Sequence, residues 1–85
     1  MAKYKIEIKR SALKEIHSLP KKNLKRVLAK IESLAENPRP FDSQKLSSQE
    51  KYRVRVGDYR ILYSIEDNIL IVFIVKVAHR REVYR

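Results

Sequence analysis

The spacing of apolar residues changes early in the chain, from alternation to a helical interval. Over Tyr4–Lys9, apolar side chains alternate with lysine and glutamate, a period of two that predicts a half-buried strand. Ser11 is then a candidate N-cap, and leucine and isoleucine recur at helical spacing until Pro20 interrupts the pattern. The sequence therefore predicts one strand followed by a short helix.

A longer amphipathic segment comes next. From Lys22 to Glu36, apolar residues recur at offsets of three and four, which predicts a second helix whose opposite side carries Lys25, Arg26, Lys30 and Glu32. That helix should end before the sequence NPRP. The segment Asn37–Glu50 is rich in proline, serine and glutamine, so it is expected to form a loop that leads from the helices to a sheet.

Three strand-like segments fill the C-terminal half. The pattern predicts strands over Tyr52–Val56, Tyr59–Glu66 and Ile69–Val77. The last is apolar at nearly every position, which is typical of a central strand covered on both sides. We therefore expect residues 1–85 to form a single α+β domain of order βααβββ. Its two N-terminal helices should pack on one face of a mainly antiparallel four-stranded sheet.

The only glycine in the chain sets the register of the first hairpin. Gly57-Asp58 predicts a two-residue loop of type II′, because glycine readily supplies the positive φ that the first loop position requires. In this register Arg55 lies opposite Arg60, and Arg53 shares their face.

The second hairpin is less well defined by its sequence. Asp67-Asn68 fits either a two-residue turn or part of a longer one. A shift of one residue there would move Lys76 onto the face that carries the arginines. Lys76 is therefore a peripheral candidate for phosphate binding.

Charge adds a class of partner to this fold. The chain has 85 residues, with 20 lysines and arginines against 10 aspartates and glutamates, a formal net charge of +10. Such a field favours a polyanionic partner: nucleic acid, an anionic membrane surface or an acidic protein. There is no cysteine, which excludes disulfides and thiolate metal sites, and no apolar segment approaches the ~18 residues of a membrane span. We expect a soluble, cytoplasmic protein.

Three arginines on one sheet face carry an electrostatic cost. Like charges directly opposite each other on two strands destabilise a sheet by roughly 0.2–1 kcal/mol. One interpretation is a solvated face of long side chains. The other is a site for a multiply charged anion, since the planar guanidinium binds phosphate oxygens through two parallel hydrogen bonds.

The C-terminal tail favours the anion site. His79, Arg80, Arg81 and Tyr84 follow the last predicted strand, so some of them should lie near the hairpin arginines. Such a set could cleave RNA, whose 2′-hydroxyl attacks the adjacent phosphate once its proton is removed and the developing charge is stabilised. DNA lacks that hydroxyl and could only be bound. Each residue also fits a structural role, such as covering the sheet edge or capping a turn.

Other chemistries have little support in the sequence. It contains no glycine-rich phosphate loop, no cluster with metal-ligand spacing, and no serine with a plausible histidine and acid partner. Phosphodiester chemistry without a metal or cofactor is the one enzymatic option that the residues suggest.

Two segments resemble a known toxin family. KLSSQEKYRVRVGDYRILYSI (Lys45–Ile65), FIVKVAHRREVYR (Phe73–Arg85) and the order βααβββ are similar to the RelE branch of the RelE/ParE superfamily. The resemblance implies a type II toxin that enters the ribosomal A site and cuts mRNA, leaving a 2′,3′-cyclic phosphate and a 5′-hydroxyl. It also implies a RelB-like antitoxin that wraps around the toxin with an acidic or amphipathic segment. Contacts of the basic surface with 16S rRNA are a further expectation.

The resemblance also suggests site residues. Arg60 and Arg80 match arginines assigned to phosphate binding and transition-state stabilisation, and Tyr84 matches a tyrosine assigned to proton transfer or base stacking. Arg53 and Arg55 match positions that are lysine in the best-described members.

This departure changes the expected roles. Because arginine is effectively always charged, Arg53 and Arg55 can stabilise charge but are poor general bases. Proton transfer then falls to Tyr84 or His79, unless the enzyme relies on positioning and charge alone. Arg81 completes the candidate phosphate-binding set.

Two other functions are open. Members of the ParE-like branch resemble this fold but poison DNA gyrase and do not cut RNA, and they tend to lack the arginine and tyrosine set. An inactive module that only binds RNA or an antitoxin also fits, since two lysines of the family pattern are arginines here.

Overall fold

The computed structural model describes residues 3–46 and 51–79. In these ranges, two helices and five strands follow one another in the order βααββββ. They are β1 (Lys5–Ile8), α1 (Arg10–His17), α2 (Lys21–Glu36), β2 (Gln44–Lys45), β3 (Lys51–Val56), β4 (Tyr59–Glu66) and β5 (Ile71–His79). Neither helix in these ranges is long and apolar enough to span a lipid bilayer.

Helix α1 begins earlier than the sequence predicts. Lys9 is its N-cap residue and makes no side-chain cap hydrogen bond, so the prediction of Ser11 as N-cap is wrong. The reason is tertiary: the Lys9 N–H donates to the Ile74 carbonyl at 2.9 Å, which holds Lys9 against β5, and the helix starts at Arg10. Helix α2 starts directly after Pro20, whose fixed φ suits a helix start.

The amphipathic faces of both helices bury against one side of the sheet, as predicted. The core contains Ala12 and Ile16 from α1, Val27, Ile31 and Leu34 from α2, and Tyr52, Val54, Ile61, Tyr63, Ile65, Val72, Ile74 and Val77 from the sheet. Leu13 and Leu28 belong to the predicted apolar stripes but lie at their margins, each about two-fifths exposed.

The sheet has five strands in the order β1-β5-β4-β3-β2. The α+β class is confirmed, but the prediction of four strands is wrong. The extra strand is the two-residue β2 within the predicted loop, where Gln44 pairs with Arg53 and Lys45 with Tyr52. Strand β5 is internal, parallel to β1 and antiparallel to β4.

The two hairpins differ in how far the sequence predicted them. The register of β3 and β4 is confirmed, with Arg55 opposite Arg60, and Gly57 has a φ of 58° as a type II′ turn requires. The second hairpin has a four-residue turn, since Glu66 pairs with Ile71, so β5 begins two residues later than predicted.

A bulge in β5 changes which side chains share a face. Tyr63 pairs with Ile74, but its neighbour Leu62 pairs with Lys76, which leaves Val75 as the extra residue. Because successive side chains point to opposite faces of the sheet, one extra residue moves every later side chain of β5 to the face opposite the one expected without the bulge. Beyond the bulge, Val77 faces the helices and Lys76 is in register with the arginine side.

Candidate phosphate-binding surface

The three hairpin arginines lie on the sheet face opposite the helices. Arg53 and Arg55 on β3 and Arg60 on β4 alternate with Val54 and Ile61, which are buried under the helices. We call Arg53, Arg55 and Arg60 the arginine face. Their juxtaposition follows from the hairpin register that Gly57 imposes.

Arg60 is the most deeply placed member of the arginine face. Only 4% of Arg60 is exposed, and it is the one charged residue that is buried within the described ranges. Its neighbours in register are Arg55 on β3 and the small residue Ala78 on β5. Charge interactions are stronger where water is excluded, so an anion that reaches Arg60 would be bound more strongly than on an open surface.

The short strand β2 positions Arg53. A guanidinium nitrogen of Arg53 donates a hydrogen bond to Oε1 of Gln44, its partner in register on β2. A planar guanidinium held from one side presents its remaining N–H groups in a fixed direction. Gln44 is thus a supporting residue that sequence reasoning missed, because a polar two-residue strand has no apolar period.

Arg55 is exposed and lies where β3 approaches α2. A groove between the two elements, the α2–β3 groove, is lined by Arg26, Ala29, Lys30, Ser33, Arg55, Val56 and Gly57. Arg26 is a second residue that the sequence did not single out, although it belongs to the basic side of the predicted helix. Its guanidinium lies against the Gly57 turn and lines the groove together with Arg55.

His79 does not join the arginines. It pairs in register with Tyr59, which is on the helix side of β4, and the two rings meet edge to face with centroids 5.6 Å apart. The ring lines a cleft beside the end of α1, together with Glu15 and Tyr59. The sequence predicts that at least some of the tail residues lie near the hairpin arginines, and His79 is on the opposite face because the bulge in β5 exchanges the two faces.

Lys76 is engaged at the sheet edge. Its register partner Leu62 is on the arginine side, but the Lys76 ammonium donates to Oε2 of Glu15 on α1 at 2.8 Å. The other oxygen of Glu15 accepts the Val77 N–H at 3.0 Å, beyond the point where β1 stops pairing with β5. Glu15 therefore accepts the hydrogen bond that a neighbouring strand would otherwise accept, and its ion pair holds the Lys76 ammonium towards α1 rather than towards the arginine face.

Three candidates lie outside the described residues. They are Arg80, Arg81 and Tyr84, which follow His79 in the chain. Their roles stay predictions.

A second polar cluster holds the loop after α2 at the far end of β4. Arg39 donates to both oxygens of Asp67, at 3.2 and 2.8 Å, and to the Tyr52 hydroxyl at 2.9 Å. The Tyr4 hydroxyl donates to Asp67 at 2.6 Å. The Arg39 hydrogen bonds and that of Tyr4 lower the pKa of Asp67 to about 2. The hydrogen bonds among these four side chains hold the loop after α2 against the sheet.

The phenol of Tyr63 is also committed to structure. It donates to the Pro38 carbonyl at 2.8 Å, and burial raises its pKa to about 12. A phenol so reluctant to lose its proton is a poor general base at neutral pH. Within the described ranges, then, the arginine face offers charge and hydrogen-bond donors and no evident proton acceptor.

Comparison with known proteins identifies close relatives in sequence. A profile for the family described as "ParE toxin of type II toxin-antitoxin system, parDE" matches residues 6–84. The protein named RelE1 of Methanocaldococcus jannaschii is 38% identical over 87 residues, covering 98% of this chain and 97% of that protein.

Solved structures of similar fold cover nearly the whole chain. RelE in the RelE–RelB complex of Pyrococcus horikoshii has a TM-score of 0.84 and 32% identity, covering 94% of this chain and 97% of that one. The RelBE2 toxin–antitoxin complex of Mycobacterium tuberculosis has a TM-score of 0.83 and 29% identity, covering 94% of both chains. The isolated RelE toxin of E. coli has a TM-score of 0.81 and 26% identity, covering 95% of this chain and 90% of that one.

Proposed function

The chain belongs to the RelE/ParE family of toxins from type II toxin–antitoxin systems, and from that premise we propose that it is a ribosome-dependent endoribonuclease that cuts mRNA. The observation that carries the proposal is Arg60, buried opposite Arg55 with Arg53 beside them on one sheet face. Clustered guanidiniums at a partly dry surface suit a phosphate whose charge increases during reaction.

The reaction needs no external nucleophile. The ribose 2′-oxygen attacks the adjacent phosphorus, the new O–P bond forms, and the bond to the 5′-oxygen of the next nucleotide breaks. One proton leaves the 2′-hydroxyl and one is delivered to the departing 5′-oxygen. The products are a 2′,3′-cyclic phosphate and a 5′-hydroxyl, and the charge on the phosphorane oxygens is the part that arginines can stabilise.

The roles divide between charge and proton transfer. We propose that Arg53, Arg55 and Arg60, together with Arg80, bind the scissile phosphate and stabilise the transition state. Tyr84 is the first candidate for proton transfer.

The remaining candidates are more peripheral. His79 ranks second for proton transfer, after Tyr84. Its ring packs against Tyr59 on the helix side of the sheet, so it could reach a phosphate on the arginine face only past the end of β5. Arg81 and Lys76 are assigned to flanking phosphate contacts, with Lys76 also paired to Glu15.

Two partners follow from this proposal. The few side chains of the arginine face provide little to orient a flexible RNA, so alignment by the ribosome, through mRNA in the A site and 16S rRNA on the basic surface, would supply much of the catalysis. Solved relatives in complex with RelB support a RelB-like antitoxin here. An acidic or amphipathic segment of that antitoxin would fold across the basic surface and block it.

The second candidate function is inhibition of DNA gyrase. It is favoured by one observation, the match of residues 6–84 to a family described by the name ParE. An inactive RNA- or antitoxin-binding module is a third. Both predict a protein that leaves mRNA intact.

A comparison of two conservative variants tests the nuclease proposal. Arg60→Lys keeps the positive charge but loses the planar fork, so we expect cleavage of ribosome-bound mRNA to fall by about 10² or more. Arg10→Lys makes the same change at an exposed position on α1 and should cleave like wild type. Thermal unfolding of each variant checks that the buried site still folds. Intact mRNA with wild-type protein, combined with inhibited supercoiling by gyrase, would favour the second candidate instead.

A further inference from the structure

The α2–β3 groove contains positive charge that the proposed cleavage site does not account for. Arg26 and Lys30 reach it from α2, and Arg55 reaches it from β3. Arg55 also stands opposite Arg60 in register, so the groove and the arginine face meet at this one residue. A ligand that lies on the arginine face could continue around the edge of β3 into the groove.

Among the described residues, two of the three cations in the groove have no acidic partner. Lys30 is paired with Asp42 at 2.9 Å. Within the described ranges, no carboxylate lies within ion-pair distance of Arg26 or Arg55. Two uncompensated guanidiniums in one groove repel each other unless an anion binds between them.

The hairpin turn holds Arg26 in the groove. A β-carbon at Gly57 would lie 3.4 Å from Nη1 of Arg26, so the guanidinium packs directly against the turn. Glycine at this position therefore has two functions. It supplies the positive φ of the turn, and it leaves room for the Arg26 head group beside Arg55.

Beyond Arg53, the edge of β3 has no partner among the described strands, and it fits a single anion better than an added strand. The Leu46 N–H donates to the Lys51 carbonyl, so the backbone groups of Lys51 point away from β4. In an antiparallel pair, the backbone N–H and C=O groups of every second residue point to the same side of the strand. Arg55 is therefore the first residue after Arg53 whose backbone groups point away from β4, and β2 does not extend far enough to pair with it. The strand ends at Val56, so the groove offers the backbone N–H of one residue and no ladder for a second strand.

We propose that the α2–β3 groove binds a second phosphate of the RNA, next to the scissile one, through Arg26 and through the guanidinium and backbone N–H of Arg55. This inference rests on the proposed function for its ligand, a single RNA strand. Arg26 is the new residue, and it contacts the backbone, so it raises affinity without reading sequence. The groove thereby fixes the direction in which RNA crosses the arginine face.

Salt-dependent RNA binding tests the groove without requiring cleavage. The probe is a short fluorescent RNA with 2′-deoxy nucleotides, which cannot be cut by 2′-hydroxyl attack, titrated at several KCl concentrations. We expect Arg26→Gln to weaken binding several-fold and to reduce the slope of log K against log salt by about 0.7, the value of one phosphate contact on a single strand. Lys22→Gln removes the same charge from α2 outside the groove and should leave the slope nearly unchanged.

The outcomes separate the groove from the proposed function. If Arg26→Gln and Lys22→Gln behave alike, the groove inference is wrong. If Arg26→Gln weakens binding of an oligoglutamate peptide but not of RNA, the groove is a site for an acidic protein, which also overturns it. If the slope changes as expected while wild-type protein leaves mRNA intact on ribosomes, the nuclease proposal fails and the groove inference stands. Both residues are exposed, so neither variant should shift the melting temperature.

Discussion

Replacing Gly57 by alanine should destabilise the domain through the hairpin turn. The backbone there has a φ of 58°, a left-handed conformation that costs a residue with a β-carbon about 1–2 kcal/mol. Alanine also restricts the unfolded chain, which offsets about 0.4–1 kcal/mol of that cost. The new methyl group would meet the Arg26 guanidinium at 3.4 Å, a tight contact that the flexible arginine can relieve by moving. A net loss of about 1 kcal/mol is therefore expected.

Thermal and urea unfolding of Gly57→Ala measure this loss directly. For a domain of this size, about 1 kcal/mol corresponds to a drop of roughly 4–8 °C in the melting temperature. Asp58→Ala is the matched control, because Asp58 lies in the same turn without a positive φ. Adding Arg26→Ala to Gly57→Ala removes the tight contact and leaves the backbone strain. A Gly57→Ala protein as stable as wild type would refute the assigned turn geometry, and full rescue by Arg26→Ala would show that the contact, not the backbone, sets the cost.

Two further predictions concern the groups that fasten the sheet ends. Glu15→Ala should lower the free energy of unfolding by about 1–3 kcal/mol, because the Val77 N–H loses its acceptor and Lys76 loses the carboxylate it pairs with. Glu15→Gln keeps an acceptor oxygen and should lower the free energy of unfolding by less. Equal losses in the two variants would contradict the role of Glu15 as the acceptor for the Val77 N–H. Asp67 has a pKa lowered from 3.8 to about 2, so its carboxylate stabilises the fold above pH ~4 and that contribution disappears as the pH falls towards 2. In acid titrations followed by circular dichroism, Asp67→Asn should lack this dependence, and a wild-type curve in that variant would exclude Asp67 as its source.

The sequence was sufficient to predict the arginine face because its register depends on one local feature. Gly57 is the only glycine, it stands between two alternating segments, and a two-residue loop allows one pairing of the strands. Arg55 opposite Arg60 follows from that turn alone. The depth of Arg60 does not, because burial depends on what surrounds the strand in space.

The sequence could not predict which face of the sheet carries His79. The segment from Ile71 to Val75 is apolar at every position, so it has no alternation that reveals which residues face the helices. The bulge at Val75 is invisible in such a segment, and it moves His79 to the helix side. Strand β2 was missed for the opposite reason, because two polar residues carry no period at all.

Tertiary contacts decided the remaining differences. Ser11 has the right chemistry for an N-cap, but the hydrogen bond from the Lys9 N–H to the Ile74 carbonyl determines where α1 begins. Arg26 appeared in the sequence as one of several cations on the polar side of a helix. Its importance comes from its contact with the Gly57 turn, which only the folded chain brings about.

The most direct test of the central claim is cleavage of mRNA on a ribosome with a single 2′-deoxy substitution in the A-site codon. The proposal requires that wild-type protein cut the unmodified message and leave a 2′,3′-cyclic phosphate. The substitution should abolish cleavage at that one bond, because the attacking oxygen is absent, while cuts at neighbouring unmodified bonds continue. Cleavage at the deoxy-substituted position, or a message left intact by the wild-type protein, would contradict the assignment of the arginine face to RNA cleavage.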